Sequence, residues 1–264
     1  MIALALSIAL CSTPQKLAFN PVVDLSVTGG LAAAWLTAEL ALKKPLAPQA
    51  CRWCETNGFD NAIRSVFHPA MSPSANGNPS ADMWSNVFGY GITPLGILGL
   101  DALVATADGA FVEAWPVDLT IIAEASLAAI TFNQIVKFAA GRSRPYAVGA
   151  DVAMLKDVAD SNLSFFSGHT TFAFALATSA GTVASLRDYR YAWAVWAGAM
   201  PLALVSGILR IAADKHWASD VLVGMGAGAL FGVGIPLLFH GRVQAFESLR
   251  VAPTGNGIMA SGRF

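Results

Sequence analysis

The chain alternates long apolar stretches with short polar ones, and the long stretches have the length of membrane-spanning helices. A helix needs about 20 residues to cross the hydrocarbon core of a bilayer. Five or six segments reach that length and predict a bundle of helices. These segments are Val22–Leu42, Trp84–Ala107, Val117–Ala140, Thr170–Leu186, Tyr191–Leu209 and Val221–Phe239.

The last three segments contain no charged residue and make the strongest predictions, whereas the first three carry carboxylates. Charged groups in a membrane helix usually lie near its ends or face the bundle interior, because burying a charge in lipid is costly. We expect one of these two positions for the carboxylates of the first three segments, which are Asp24, Glu39, Asp101, Asp118 and Glu124.

Composition supports a membrane protein. The 264 residues are 55% hydrophobic and only 12% charged, against about 25% charged in an average soluble domain. A large soluble protein could bury such helices, but this chain is too short to hide several of them. The net charge of −1 excludes a general attraction to nucleic acid, and no obligate protein partner is indicated.

The pattern predicts one domain with short extensions. Residues 1–20 form an N-terminal segment, which is either a degenerate signal or an extension of the first helix. Residues 21–240 form the helical membrane domain, and residues 241–264 form a polar tail. A long linker with a Cys51–Cys54 pair occupies residues 43–83. The two cysteines could form a small disulfide in an oxidising compartment, and zinc would need two further ligands.

Residues suited to phosphate chemistry fall in three short segments at the edges of apolar stretches. These segments are K-F-A-A-G-R-S-R-P at 137–145, F-S-G-H at 166–169 and R-I-A-A-D-K-H-W-A-S-D at 210–220. Lys137, Arg144 and Arg210 can balance the charge of a transferred phosphoryl group. Lone cations beside membrane helices are usually structural, and Arg142 is predicted to be a solvated loop residue.

The two remaining motifs supply an anion site and a pair of reactive groups. Ser167 and Gly168 open a predicted helix, whose free N–H groups bind anions. His216 and Asp220 are four residues apart, so on a helix they share a face, and a carboxylate can fix the tautomer of an imidazole. Either motif alone would be more commonly structural than functional.

Together the spacings Lys-x6-Arg-Pro, Ser-Gly-His and Arg-x5-His-x3-Asp resemble the type 2 phosphatidic acid phosphatase (PAP2) family, which shares its site with vanadium haloperoxidases. The resemblance covers residues 117–239. It implies an all-α, six-helix transmembrane bundle with the active site at one membrane face. Two positions depart from the family pattern: Phe166 replaces a common Pro, and Leu209 replaces a common Ser.

The resemblance also implies a role for each site residue. His216 would be the nucleophile that forms a phosphohistidine, Asp220 would orient it, and His169 would protonate the leaving alkoxide. No cofactor and no metal are expected, since no cluster of His, Asp and Glu has ligand spacing and three cations replace magnesium. The residues implied to bind phosphate are Lys137, Arg144, Ser167, Gly168 and Arg210.

The expected function is removal of a terminal phosphate from a membrane lipid. Candidate substrates are phosphatidate, phosphatidylglycerophosphate, a polyprenyl diphosphate and a lipid A phosphate. The alternatives are a secreted soluble acid phosphatase of the same superfamily and, less favoured, a non-catalytic lipid-binding or transport protein. A bacterial inner membrane with a periplasmic site is expected by family analogy, because Lys and Arg are spread almost evenly over the two predicted faces.

Overall fold

The structure is a computed structural model that describes residues 14–69, 74–242, 250–254 and 257–261. The first 13 residues of the predicted N-terminal segment, with Cys11, lie outside the described residues, as does part of the predicted tail. Residues 14–20 are not helical. The predicted extension of the first helix is therefore wrong for these residues.

Eight α-helices occur in the described ranges. They are α1 Pro21–Leu46, α2 Gly58–Phe67, α3 Pro79–Ala107, α4 Trp115–Ala140, α5 Val158–Ser161, α6 Gly168–Leu186, α7 Ala192–Ala212 and α8 Ala218–Phe239. One turn of α1 (Ala38–Leu42) and one turn of α3 (Phe88–Ile92) are π-helical. Short 3-10 turns lie at Pro145–Ala147 and Val152–Met154.

The described part of the C-terminal tail adds an antiparallel hairpin. Its strands, β1 (Arg250–Thr254) and β2 (Gly257–Ser261), pair Arg250 with Ser261. The all-α prediction therefore holds for the membrane domain, whereas the tail contains strands that the polar composition did not indicate.

Local signals place the helix ends. Asn20 caps α1 by accepting hydrogen bonds from the N–H groups of residues 22 and 23, and Pro21 occupies the first helical position, where no N–H is needed. Asn78 and Pro79 start α3 in the same way. Gly141 ends α4 with a φ of 57°, a left-handed conformation that favours glycine. The chain therefore turns directly after the helix that carries Lys137.

Helix α6 is the buried centre of the bundle and packs against α4, α7 and α8. Its residues are mostly Ala, Thr, Ser and Gly, and small residues let helix backbones approach closely. The approach of α8 is tightest at Gly232, where a Cβ atom would lie 2.6 Å from the Ala175 carbonyl oxygen and 2.1 Å from Oγ1 of Thr178.

Five helices, α1, α3, α4, α7 and α8, are long and apolar enough to cross a membrane. They expose large apolar side chains such as Leu95, Leu230 and Leu238, each at least 70% exposed, as expected for a lipid-facing surface. These features characterise an integral membrane protein. Helix α6, which the sequence predicts among the strongest membrane spans, is less apolar than these five helices. Thr and Ser take the place of large apolar residues in it, because neighbouring helices shield it.

Six long helices run between two ends of the bundle, and the predicted site residues collect at one of them. Lys43 near the end of α1 pairs with Asp160, and Asp82 at the start of α3 pairs with Arg210. At the opposite end, the backbone of Gln15 bonds to Arg187 and that of Ala18 to Gly241. The first and last described residues of the membrane domain therefore lie at the end away from the site.

The interior carboxylates are placed as expected. Asp101 and Asp118 are fully buried inside the bundle. Asp118 accepts hydrogen bonds from Arg187 at 2.8 Å and from the Tyr189 hydroxyl at 2.7 Å. This cluster joins α4 to the short turn between α6 and α7.

We predict that Gly232→Ala lowers stability, because its Cβ has no space between α8 and α6. Overpacking of this kind costs about 1–3 kcal/mol. Gly234→Ala is the matched control, since nothing lies within 4 Å of its Cβ position. Thermal unfolding of both variants in detergent measures the difference, and equal midpoints would contradict the close α6–α8 packing.

Candidate active site

A cavity of about 640 Å³ opens at the end of the bundle where the three motifs meet. It is lined by six of the predicted site residues: Lys137, Arg144, Gly168, His169, Arg210 and His216. The other two, Ser167 and Asp220, lie behind the cavity wall and are fully buried. The three motifs therefore form one site.

The His216 ring has one defined tautomer. Its Nδ1 lies 2.7 Å from the carbonyl oxygen of Ser164, and because a carbonyl only accepts, Nδ1 carries the hydrogen. Nε2 therefore carries no hydrogen, and its lone pair faces Nη1 of Arg144, which donates a hydrogen bond to it at 3.2 Å.

Asp220 acts on this ring indirectly, which differs from the predicted contact. Its Oδ2 lies 3.7 Å from Nδ1 of His216, beyond hydrogen-bond distance. The same oxygen accepts hydrogen bonds from the Ser164 hydroxyl at 2.5 Å and from the Trp217 N–H at 3.0 Å. Asp220 thus holds the Ser164 segment, and the Ser164 carbonyl orients the imidazole.

The prediction for Arg142 is wrong, because this side chain is 1% exposed. Its Nη1 donates to Asp220 at 2.5 Å and its Nη2 to Asp60 at 2.7 Å. The guanidinium lies 4.2 Å from the centre of the Trp53 ring. Arg142 therefore ties the linker before α3 to the start of α8. Sequence analysis missed it because Asp60 and Asp220 are far from it along the chain.

Arg144 is held by a carboxylate that the motifs do not contain. Its Nε donates to the Asp160 carbonyl oxygen at 2.8 Å, and its Nη2 to the Asp160 carboxylate at 3.1 Å. Lys43 approaches the same carboxylate at 3.2 Å. Burial alone would raise the pKa of Asp160, but Arg144 and Lys43 outweigh it and hold that pKa well below its usual range. Asp160 is therefore an anion that balances the cations of the empty site.

Arg210 has a similar arrangement on the other side of the cavity. Its Nη1 donates to Asp82 at 2.9 Å and to the Ser85 hydroxyl at 2.6 Å. Both partners come from the first turns of α3, which no motif marks. Lys215 also lines the cavity, and burial together with Arg144 lowers its pKa to about 8. The site therefore has a further cation that the sequence analysis left outside it.

Gly168 permits the start of α6 to lie against Lys137. A Cβ atom on Gly168 would lie 3.0 Å from Oδ1 of Asn133 and 3.3 Å from Nζ of Lys137. Asn133 also donates to the carbonyl oxygen of Phe166 at 2.7 Å, which fixes the segment before the helix. The first N–H groups of a helix have no internal partner. Those of α6 therefore add partial positive charge beside Lys137.

Ser167 has a different environment from the one predicted for a phosphate ligand. Its N–H donates to the Asp220 carbonyl oxygen at 3.1 Å, and its hydroxyl oxygen accepts from Thr170 at 2.9 Å. These bonds join α6 to α8 behind the cavity. In this structure the residue therefore connects the two helices that carry His169 and Asp220.

His169 lies against the π-helical turn of α3. Its Nε2 is 2.9 Å from Oδ1 of Asn86, which accepts the ring hydrogen, and its ring centre is 4.4 Å from that of Tyr90. A Cβ atom on Gly89 would lie 2.7 Å from Cδ2 of His169. Single π turns often occur at functional sites. This one brings Asn86, Gly89 and Tyr90 to the imidazole, and sequence spacing did not reveal them.

Cys51 and Cys54 form a disulfide in the linker beside the site. The backbone N–H of Arg52 donates to the carbonyl oxygen of Gly141 at 2.9 Å, and Trp53 between the cysteines stacks on Arg142. The small disulfide that the sequence allowed is therefore present. It closes the turn that covers Arg142.

Comparison with known proteins agrees with the motifs. Residues 118–244 match the sequence model of the PAP2 superfamily. Among solved structures, the chain is similar to the first transmembrane PAP2 type phosphatidylglycerolphosphate phosphatase from Bacillus subtilis. The similarity is 18% identity over 80% of this chain and 93% of that chain, with a TM-score of 0.43. No curated protein matches the chain.

The charges around His216 predict an unusual pH profile. Burial, followed by Arg144 and Arg210, lowers the pKa of His216 well below 6.5. The acid limb of kcat/KM for phosphate release is therefore expected below pH 6.5, because the imidazole protonates only there. In Arg144→Gln a positive neighbour is lost, so the limb is expected to move to higher pH.

Arg52→Gln is the matched control, since Arg52 is exposed and bonds only to carbonyl oxygens at the end of α4. It is expected to leave the limb in place. A limb that stays at the same pH in Arg144→Gln would contradict the electrostatic coupling between Arg144 and His216.

Proposed function

We propose that this protein is a membrane phosphatase that removes the terminal phosphate of a lipid phosphate or lipid diphosphate through a phosphohistidine on His216. One observation carries the proposal. Nε2 of His216, which carries no hydrogen, lies at a cavity that is lined by Lys137, Arg144 and Arg210.

The proposed first step forms a bond from Nε2 of His216 to phosphorus and breaks the bond to the leaving oxygen. His169, in its imidazolium form, gives its Nε2 proton to that oxygen and becomes neutral. In the second step, water attacks the phosphohistidine, its proton returns to His169, and Nε2 leaves with its electron pair. Lys137, Arg144 and Arg210 stabilise the charge on the equatorial oxygens in both steps.

The wall of the cavity favours a lipid substrate. Besides the charged groups, it includes Trp35 of α1, Leu127 and Ile130 of α4 and Phe172 of α6. A head group can enter the polar part while the apolar tail lies along these side chains. A soluble acid phosphatase is less well supported, because five helices expose large apolar residues.

The proposed location is a bacterial inner membrane, with six spanning helices and the site at the periplasmic face. The Cys51–Cys54 disulfide lies at the site end of the bundle, and disulfides persist in oxidising compartments. This supports an outward-facing site. A non-catalytic lipid carrier is disfavoured, because both His216 and His169 line the cavity.

The direct test measures phosphate release from a panel of lipid phosphates and diphosphates in detergent. Wild type is expected to hydrolyse at least one of them, to survive EDTA and to be inhibited by vanadate, which mimics the transferred phosphoryl group. His216→Ala is expected to be inactive, while Asp220→Asn keeps a small residual rate because the attacking nitrogen remains. Near-normal turnover by folded His216→Ala would refute the assigned nucleophile.

A second test separates binding from acid catalysis by His169. An alkoxide needs a proton to leave, whereas a phosphate leaving group needs it far less. His169→Ala is therefore expected to lower monoester hydrolysis by about 10²–10⁴-fold and diphosphate hydrolysis by less. Equal losses on the two substrates, measured as kcat, would assign His169 to phosphate binding alone.

A further inference from the structure

Three side chains of metal-ligand type meet at the end of the bundle opposite the catalytic cavity. They are Asp24 in the first turn of α1, Glu124 of α4 and His240 just after α8, and their ligand atoms all lie within 4.8 Å of one another. The three residues are too far apart in sequence for ligand spacing to reveal the cluster.

The imidazole of His240 presents a lone pair to this cluster. Its Nδ1 lies 3.0 Å from the carbonyl oxygen of Ala18, so Nδ1 carries the hydrogen and Nε2 does not. A backbone carbonyl on the second nitrogen is the usual partner of a metal-binding histidine. The orientation of His240 is therefore already the one that a metal ligand needs.

Two polar atoms of the cluster are buried and have no hydrogen-bond partner. They are Nε2 of His240 and Oε2 of Glu124, in residues that are only 2% and 7% exposed. Leaving such atoms unpaired costs about 1–3 kcal/mol each. The two atoms face each other across the cluster, and a shared ligand would satisfy both.

The separation of these atoms suits a metal ion better than a direct hydrogen bond. Nε2 and Oε2 are 3.6 Å apart, which exceeds the usual hydrogen-bond length. Two tetrahedral ligands with bonds of about 2.1 Å lie about 3.4 Å apart. Small side-chain shifts would bring Asp24 into the same coordination sphere.

The charges of the three side chains also favour a metal ion. Asp24 and Glu124 bring two negative charges to a neutral imidazole, and a divalent ion would neutralise them.

We propose that Asp24, Glu124 and His240 bind a divalent transition-metal ion of the zinc type, with water completing the coordination. Zinc binds both imidazole nitrogen and carboxylate oxygen. The ion would tie the start of α1 to α4 and to the end of α8. Because α1 packs mainly against α4 and carries Trp35 and Lys43 to the catalytic cavity, this is a structural role.

The test uses the full chain in detergent after chelation and dialysis. Zinc is titrated calorimetrically, and bound metal is counted by mass spectrometry. Wild type is expected to bind one zinc ion per chain and to gain thermal stability from it. His240→Gln and Glu124→Gln are expected to lose at least about 100-fold in affinity, whereas His68→Gln, which removes a histidine outside the cluster, retains it.

Two results would overturn the proposal: wild type that binds no stoichiometric zinc, or His240→Gln that binds it as wild type does. Should the buried variants fail to fold, Asp24→Asn at the more exposed ligand tests the same claim. Cobalt bound to wild type is then expected to show visible d–d absorption, and Asp24→Asn is expected to alter that spectrum. An identical spectrum in the variant would overturn the proposal.

Discussion

The catalytic end of the molecule depends on the ion pairs that Arg142 makes with Asp60 and Asp220. All three side chains are almost completely buried, and removing one partner of such a pair costs about 3–5 kcal/mol because the other charge stays buried. The pairs fix the linker before α3 against the start of α8. From Asp220, the restraint passes through Ser164 to the Nδ1 hydrogen of His216.

The same end holds an excess of positive charge around the cavity. Lys137, Arg144 and Arg210 repel one another in the empty site, and Asp82 and Asp160 hold the two guanidinium groups in place. A bound phosphate would add the negative charge that the cavity lacks. Preorganised cations of this kind need little rearrangement when charge develops on phosphorus.

Short-range patterns predicted much of this molecule. Apolar runs located the long helices, and three motifs located six of the residues that line the cavity. These patterns could not predict contacts between residues that are far apart in the sequence. Arg142 was expected in solvent because nothing adjacent reveals Asp60, and the cluster around His240 joins segments at least a hundred residues apart. Helix α6 was expected among the clearest membrane spans, whereas its small residues allow neighbouring helices to cover it.

The central claim is that Nε2 of His216 attacks phosphorus, and trapping the phosphoenzyme tests it most directly. Enzyme mixed with a ³²P-labelled lipid phosphate is quenched in alkali, which preserves phosphohistidine, and the labelled peptide is mapped by mass spectrometry. The account predicts an acid-labile phosphate on His216 that disappears in His216→Ala. A turnover-competent enzyme that carries no label at His216, or carries it on another residue, would contradict the account.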